Sequence, residues 1–174
     1  MPFLLEIRGA LQYLDRLQEG LRPRPLLQLI GLRLLSFIDR KFATAGAAAG
    51  GPSWAPLRPS TLEQRKRGGD APLQDSGFYR QSFTMQVEEP NSVWVGSRVP
   101  YGEYQEYGTR PYEIVATRAK VLAAQLRAGG WAVFGKRVHH PGLPARPVLP
   151  DPSAIERFIE SETQNYLEHV LGQR

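Results

Sequence analysis

The hydrophobic residues near the amino terminus recur at helical spacing. Leu4, Ile7, Leu11, Leu14 and Leu21 are spaced by three, four, three and seven residues. Positions three or four residues apart fall on one side of an α-helix, so this spacing predicts a single apolar stripe. The stripe ends near Gly20, before the sequence RPRP. We therefore predict an amphipathic N-terminal helix over residues 1–22.

A second and more hydrophobic segment begins at Pro25 with the sequence PLLQLIGLRLLSFIDRKFATAG. Proline is favoured at the first position of a helix, because its missing N–H is not needed there. Apolar residues cover more than one side of this segment, which predicts a largely buried helix. Gly31 inside it disfavours the helix by roughly 1 kcal/mol relative to alanine. We therefore expect another element to pack closely against Gly31.

The pattern changes from helical to alternating in the middle of the chain. A loop rich in Gly and Ala comes first, over residues 46–60, and we expect its large apolar residue Trp54 to hold it against the body. In the segments FTMQVEE and VWVGS, apolar and polar residues alternate, and EPNS separates the two segments. Alternation around a short turn is typical of a β-hairpin.

Three more segments, YEIVA, KVLAAQL and WAVFGKRV, are interpreted as strands, although KVLAAQL is equally compatible with a helix. Asp151 and Pro152 then open a final helix, predicted over residues 151–172. This order of helices, strands and helix lacks the β-α-β alternation of parallel sheets. It predicts a single α+β domain over residues 1–174, in which an antiparallel β-sheet packs against N-terminal helices and a C-terminal helix.

Composition excludes several classes of chemistry. The chain has no cysteine, so disulfides, cysteine-ligated metals and thiol catalysis are excluded. No apolar run reaches the roughly 18 residues that a membrane-spanning helix needs. The first apolar stretch contains Glu6, Arg8 and Asp15, which is atypical of a signal peptide. We expect a soluble protein that is made in the cytoplasm and has no contact with a membrane.

The net charge of +5 is unevenly distributed along the chain. Residues 98–146 hold eight Lys or Arg against three Glu, whereas residues 151–174 hold five acidic residues against two Arg. A separation of this kind suits contact with nucleic acid or with an acidic protein surface. An ordinary solvated surface in an arginine-rich protein is an equally good interpretation.

The adjacent His139 and His140 are the first candidates for a metal or catalytic site. Neighbouring residues of a strand point to opposite faces, so one metal ion rarely binds both. A polar strand end before Pro141 is therefore favoured over a metal-dependent hydrolase. The sequence also lacks a GxSxG elbow and a phosphate-binding glycine loop. We predict no catalytic, metal-binding or cofactor-binding residue, and no enzymatic activity.

Tyr101, Tyr104 and Tyr107 recur every three residues, so a short helix would place them nearly on one side, with Gly108 at its end. Aromatic residues among arginines can stack on nucleotide bases. Tyr and Arg are also enriched in subunit interfaces, and an interface or a core edge is the favoured interpretation.

Several segments, taken in order, resemble one known family. They are LLQLIGLRLLSFIDRKF, GPSWAPLRPSTLEQRK, LQDSGFYRQSF, VWVGSRVPYGEYQEYGT and KRVHHPGLPARPVLP, followed by an acidic C-terminal helix. Each motif is only moderately specific, but five in this order are much more so. Over residues 25 to 170, the chain resembles the virion-morphogenesis (tail-completion) proteins of tailed phages, of the phage Mu type.

The resemblance implies a structural component at the neck or tail end of the virion, similar to tail terminators and head–tail joining proteins. The implied partners are other copies of the chain in a hexameric ring, tail-tube and head-connector proteins, and DNA that passes without sequence recognition. Assembly would take place in the host cytoplasm, without a cofactor. The alternative is a non-specific nucleic-acid-binding protein that uses a basic sheet and the tyrosine cluster.

Two groups of residues are candidates for these contacts. The basic residues predicted to face either the lumen of the ring or another subunit are Arg118, Lys120, Lys136 and Arg137. The residues predicted to contact a neighbouring subunit are Tyr101, Tyr104, Gln105, Tyr107, His140 and Arg146. In this interpretation the segment HHPGLPARP is a rigid connector, because its prolines restrict the backbone.

Overall fold

A computed structural model describes residues 3–7, 23–48, 51–65, 67, 69–88, 90–126 and 128–172. The helices within these residues are α1 (Pro23–Ala43), α2 (Pro59–Gln64), α3 (Phe78–Gln81), α4 (Gly102–Tyr107) and α5 (Pro152–Gly172). The strands are β1 (Phe3–Ile7), β2 (Phe83–Glu88), β3 (Ser92–Ser97), β4 (Tyr112–Val115), β5 (Leu122–Gln125), β6 (Trp131–Gly135) and β7 (Arg137–His140). The chain is a single α+β domain with antiparallel sheets, as predicted.

The main sheet has three antiparallel strands in the order β1-β3-β2. Strands β2 and β3 form the predicted hairpin, with a register that runs from Phe83↔Ser97 to Glu88↔Ser92. Val93 and Val95 of β3 are fully buried, and α1 covers the face of the sheet that they occupy. This alternation places one face of the sheet in the core, as the sequence pattern indicated.

The predicted N-terminal helix is wrong for the five residues of β1. They form a strand that pairs with β3 from Phe3↔Ser97 to Ile7↔Val93. The apolar run FLLEI is short enough to fit a strand or a helix, and the open edge of β3 supplies partners for its backbone N–H and C=O groups. Tertiary pairing therefore overrides the helical spacing. The rest of the predicted helix, residues 8–22, lies outside the described part of the chain.

Helix α1 packs its buried face against the hairpin, and Gly31 makes this close contact possible. A Cβ atom at Gly31 would lie 2.5 Å from Sδ of Met85 and 3.0 Å from Cγ2 of Val93. Both distances are shorter than normal van der Waals contact, so the glycine is required by the packing of the helix on the sheet. The expectation that another element approaches Gly31 closely is confirmed.

An aromatic cluster forms the centre of the core around Phe42, near the end of α1. The ring of Phe42 makes edge-on contacts with Trp54 and Tyr79, both at a centroid separation of 5.6 Å, and with Phe83 at 6.0 Å. Such tilted aromatic pairs contribute beyond the area that they bury. Trp54 is buried here and holds its loop to the body, as predicted.

Helix α5 confirms the predicted C-terminal helix and closes the core from the other side. Ile155, Ile159 and Leu167 are buried in the same hydrophobic cluster as the α1 residues. Asp151 accepts hydrogen bonds from the backbone N–H and the hydroxyl of Ser153 at 2.9 and 2.6 Å, which caps the helix start. None of the described helices has the length and apolar character needed to cross a bilayer.

The last four strands do not join the main sheet. Strand β4 pairs with β7 from Tyr112↔His140 to Val115↔Arg137, and β5 pairs with β6 from Leu122↔Gly135 to Gln125↔Trp131. The backbone N–H of Ala116 donates to the carbonyl of Lys136 at 3.0 Å and links the two pairs. The two strand pairs therefore form one two-stranded ribbon, interrupted at residues 116–121, and residues 112–126 and 128–140 are called the ribbon below.

Candidate subunit interface

The connector after β7, residues 141–150, is held to the loop that precedes α2. The indole N–H of Trp54 donates to the carbonyl of Pro147 at 3.0 Å. The guanidinium of Arg146 donates to the carbonyl of Ala55 at 3.0 and 3.1 Å and to that of Pro56 at 3.3 Å. The connector is thus fixed by hydrogen bonds between residues that are 90 to 93 positions apart in sequence.

On its other side, the connector is bonded to α4 and to the residues that follow it. The backbone N–H of Arg146 donates to the carbonyl of Gln105 at 2.7 Å. Thr109 donates its N–H to the carbonyl of Leu143 and accepts the N–H of Leu143 on its hydroxyl, both at 2.9 Å. Gly108 has a φ of +72°, and a Cβ atom there would lie 2.6 Å from the carbonyl oxygen of Leu143. Only glycine fits this turn without strain.

Glu106 completes the attachment with a buried carboxylate. It accepts the backbone N–H of Val148 at 2.7 Å and that of Leu149 at 3.3 Å. Burial raises the pKa of Glu106, while these two hydrogen bonds and the charge of Lys41 act in the opposite direction. The sequence analysis did not identify Glu106 as a structural residue. Glu106 lies one helical turn after Glu103, and the local sequence does not indicate that Glu103 is exposed and Glu106 is buried.

Arg146 holds two segments of its own subunit together, and its contact with a neighbouring subunit stays a prediction. It is buried, its guanidinium donates to the carbonyls of Ala55 and Pro56, and burial lowers its pKa. Its role in this structure is to join the connector to the loop at Ala55. The reason is local: the carbonyls of Ala55 and Pro56 need donors, and a guanidinium offers several in a fixed geometry.

The connector, the ribbon and the segment around α2 enclose an open groove of about 1150 Å³. One wall comes from the body, including Leu57, Thr61 and Leu73, and the opposite wall comes from the ribbon, including Ile114 and Phe134. The groove is also lined by Tyr101, Gln105, His140 and Arg146. It is mostly apolar and large enough to accept a segment of another chain.

Four of the six predicted interface residues line this groove: Tyr101, Gln105, His140 and Arg146. The structure therefore brings together residues that are up to 45 positions apart in sequence, since they run from 101 to 146. Tyr104 and Tyr107 are 55% and 71% exposed and do not line the groove. Tyr101 closes one end, with its ring 5.7 Å from the buried ring of Tyr79.

The two histidines take part in the ribbon end and the turn that follows it. His139 is exposed and His140 is half-buried, and both line the groove. The ring of His140 stacks on Tyr112 at a centroid separation of 4.7 Å, and its Nδ1 accepts the N–H of Gly142 at 3.1 Å. Among the described residues, no group of three or more His, Cys, Asp or Glu is arranged to hold a metal ion.

The four predicted basic residues meet where the two halves of the ribbon join. Arg118 and Lys120 lie between β4 and β5, Lys136 lies between β6 and β7, Arg137 begins β7, and all four are exposed. Arg137 forms an ion pair with Glu113 at 3.3 Å, which contributes little because both side chains are more than half exposed. This group is called the basic junction below.

The sequence analysis missed the exposed apolar residues of the ribbon. Trp131 is 66% exposed and Val133 is 64% exposed, whereas the sequence pattern of this segment had predicted only that it forms a strand. Alternating apolar residues indicate that one face of a strand is buried. They do not indicate whether the same chain or another molecule buries it. This distinction required the structure.

Comparison with known proteins identifies the family. The model of the phage virion morphogenesis family matches residues 5–168, which includes the groove, the connector and the ribbon. The comparisons with curated proteins and with solved structures gave no match. Because the family match spans nearly the whole chain, this protein belongs to the phage virion morphogenesis family and has a structural role in the phage virion.

Proposed function

We propose that the protein completes the tail of a phage or prophage particle and joins it to the head at the neck, as a hexameric ring around the path of the DNA. Its partners are further copies of itself, the tail tube and the head connector. It would assemble in the host cytoplasm and remain in the virion. It would contact passing DNA without reading its sequence.

The observation that carries this proposal is the presence of two different uncovered surfaces on one chain. The groove is concave and lined largely by apolar residues, and the ribbon projects exposed apolar residues from another place. In a ring each subunit contacts its two neighbours through two different surfaces, so each chain must carry both of them. Membership of a virion morphogenesis family is consistent with such an assembly, because virions contain many copies of their structural proteins.

Charge supports the same arrangement. The basic junction is exposed on the ribbon, and α5 exposes acidic residues at Glu156, Glu160 and Glu168. Complementary charges on different surfaces favour one orientation of neighbouring subunits. The basic junction could instead face the lumen, although a strongly attractive lumen would slow the passage of DNA.

Deletion of the gene from the phage or prophage that carries it tests the proposal. We expect lysates that contain DNA-filled heads and separate tails, but few joined particles, when viewed by electron microscopy. Supplying the wild-type gene from a plasmid should restore joined particles. Normal numbers of joined particles after deletion would contradict the proposal, and so would a loss of filled heads, since that would place the protein at an earlier step.

A second candidate function, non-specific nucleic-acid binding, is favoured by the clustering of the basic junction. If the isolated chain binds duplex DNA through Lys120 and Lys136, the slope of log Kobs against log salt should be steep. It should fall by about 0.9 for each lysine replaced by glutamine. Replacement of the exposed Arg24, far from the ribbon in sequence, is the matched control. Binding that is weak and equal for all variants would exclude this function.

A further inference from the structure

The ribbon is an unusual element because it is long, thin and poorly covered. It consists of two antiparallel strand pairs, β4 with β7 and β5 with β6, and among the described residues neither pair has a third strand along an edge. Two-stranded ribbons are marginally stable in water unless another surface packs on them. All four residues of β4 are exposed, and so are three of the five in β6.

Trp131 and Val133 form the most exposed apolar surface of the ribbon. They are two positions apart on β6, so their side chains lie on the same face, opposite Gln125 and Ala123 of β5. Neither Trp131 nor Val133 lines the groove of its own chain, whereas the next residue on β6, Phe134, does. The other exposed apolar residues of the ribbon are Tyr112, Ile114, Val115, Val121 and Phe134. Large exposed apolar side chains of this kind often mark a surface that another protein covers.

We propose that the ribbon face that carries Trp131 and Val133 docks into the groove of a second copy of this chain. The contact is head to tail, since the docking face and the groove are different surfaces of the same subunit. This inference rests on the proposed assembly function and specifies the interface that it uses. The groove is therefore occupied by strands β5 and β6 of the neighbouring copy, and Trp131 makes the central contact.

The size of the ribbon fits the requirement of a stable interface. Strands β4 and β5 have four residues each, so at about 3.3 Å per residue the paired part of the ribbon is roughly 30 Å long. With a width of roughly 10 Å, one face and its edges can bury on the order of 600 Å², near the roughly 800 Å² per partner of a standard protein interface. Tryptophan is also the residue type most enriched among those that dominate binding energy.

The groove offers the matching surface. Leu57 and Leu73 on the body and Leu143 and Pro144 of the connector present apolar groups to it. The connector cannot move aside easily, because Arg146, Glu106 and Trp54 attach it to the body. A preformed and rigid groove loses little conformational entropy on binding, which favours docking of a preformed ribbon.

The first test compares assembly of the wild type with that of the double variant Trp131→Ser/Val133→Ser. We expect the protein concentration needed for assembly, measured by sedimentation velocity, to rise by at least about tenfold in the double variant. The matched control is Phe78→Ser, which removes a 60% exposed aromatic side chain outside the ribbon and the groove. The control should assemble like the wild type, and circular dichroism should show that both variants are folded.

The second test identifies the surface that receives the ribbon. Since the chain has no cysteine, introduced cysteines are unique. One variant, Gln125→Cys, carries its cysteine opposite Trp131 on the ribbon, and the other, Thr61→Cys, carries its cysteine on the groove wall. The two variants are mixed and treated with a short bis-maleimide cross-linker. We expect a cross-linked dimer of the two different chains. The control partner Glu160→Cys, exposed on α5, should give little product.

Each outcome decides the inference. Cross-links between two Gln125→Cys chains, or mainly to Glu160→Cys, would overturn it, and so would a wild type that stays monomeric at every concentration. If the double variant assembles like the wild type, the inference fails but the neck function stands. If deletion of the gene leaves joined particles, the proposed function itself fails, whatever interface the purified chains use.

Discussion

Replacement of Trp54 by alanine should lower the free energy of unfolding by about 4 kcal/mol. Removing a buried tryptophan from a core costs about 3–5 kcal/mol through lost packing and the cavity left behind. The variant also loses the hydrogen bond from the indole to Pro147, which leaves the connector without one of its attachments. Since domains are stable by only about 5–15 kcal/mol, this loss is a large fraction of the total. Urea denaturation followed by circular dichroism measures it.

Two further variants separate the causes of this loss. Trp54→Phe keeps an aromatic ring beside Phe42 but removes the indole N–H and part of the ring volume, so we expect a smaller loss of about 1–2 kcal/mol. Phe78→Ala removes an aromatic ring that is 60% exposed and should change stability by less than about 0.5 kcal/mol. Equal midpoints for the Trp54→Ala variant and the wild type would show that the loop is not held to the core by this residue.

Replacement of Glu106 by alanine should lower the free energy of unfolding by about 2–3 kcal/mol. Its carboxylate is the acceptor for the backbone N–H groups of Val148 and Leu149, and the variant leaves both without one. A buried donor without a partner costs about 1–3 kcal/mol, partly offset here because a poorly solvated charge is removed. Glu103→Ala, at the exposed carboxylate of the same helix, is the control and should be nearly neutral.

The pH dependence of Glu106 follows from the direction of its pKa shift. Its pKa is raised in the folded state, so the folded protein binds the proton more tightly than the unfolded chain does. The contribution of Glu106 to stability is therefore fully present below its unfolded pKa, near 4.5, and decreases as pH rises through the folded pKa. The difference in unfolding free energy between the wild type and Glu106→Gln, measured from about pH 4 to about pH 8, isolates this group. A difference that does not change with pH would contradict the raised pKa.

Local patterns in the sequence were sufficient for much of the fold. The burial of α1 and the close contact at Gly31 followed from hydrophobic spacing and from the cost of a glycine in a helix. The β2–β3 hairpin followed from alternation around a short turn. In each case the deciding interactions lie within one element or between neighbours in sequence.

The strand β1 could not be predicted in the same way. Its apolar residues fit a helical period, and only the open edge of β3, about 90 residues later in the sequence, selects the extended conformation. The connector presents a similar limit. Its composition indicated a rigid path, but the bonds from Arg146 and Glu106 depend on carbonyl and N–H groups that are positioned by the whole fold.

The candidate interface shows the same division between local and long-range information. The tyrosine pattern indicated Tyr101, and the family resemblance indicated Gln105 and His140; all three line one groove. Sequence reasoning did not select Trp131, because an apolar residue on a strand is normally assigned to the core. Exposure in the folded chain is what distinguishes a surface for another subunit from a surface for the same subunit.

Negative-stain electron microscopy of the purified protein, alone and mixed with tails from the deletion lysate, tests the neck-ring account most directly. We expect class averages that show rings with six-fold symmetry and a central hole wide enough for duplex DNA. The Trp131→Ser/Val133→Ser variant should show far fewer rings under the same conditions. Uniform small particles at every concentration, with no rings on the tail ends, would contradict the account.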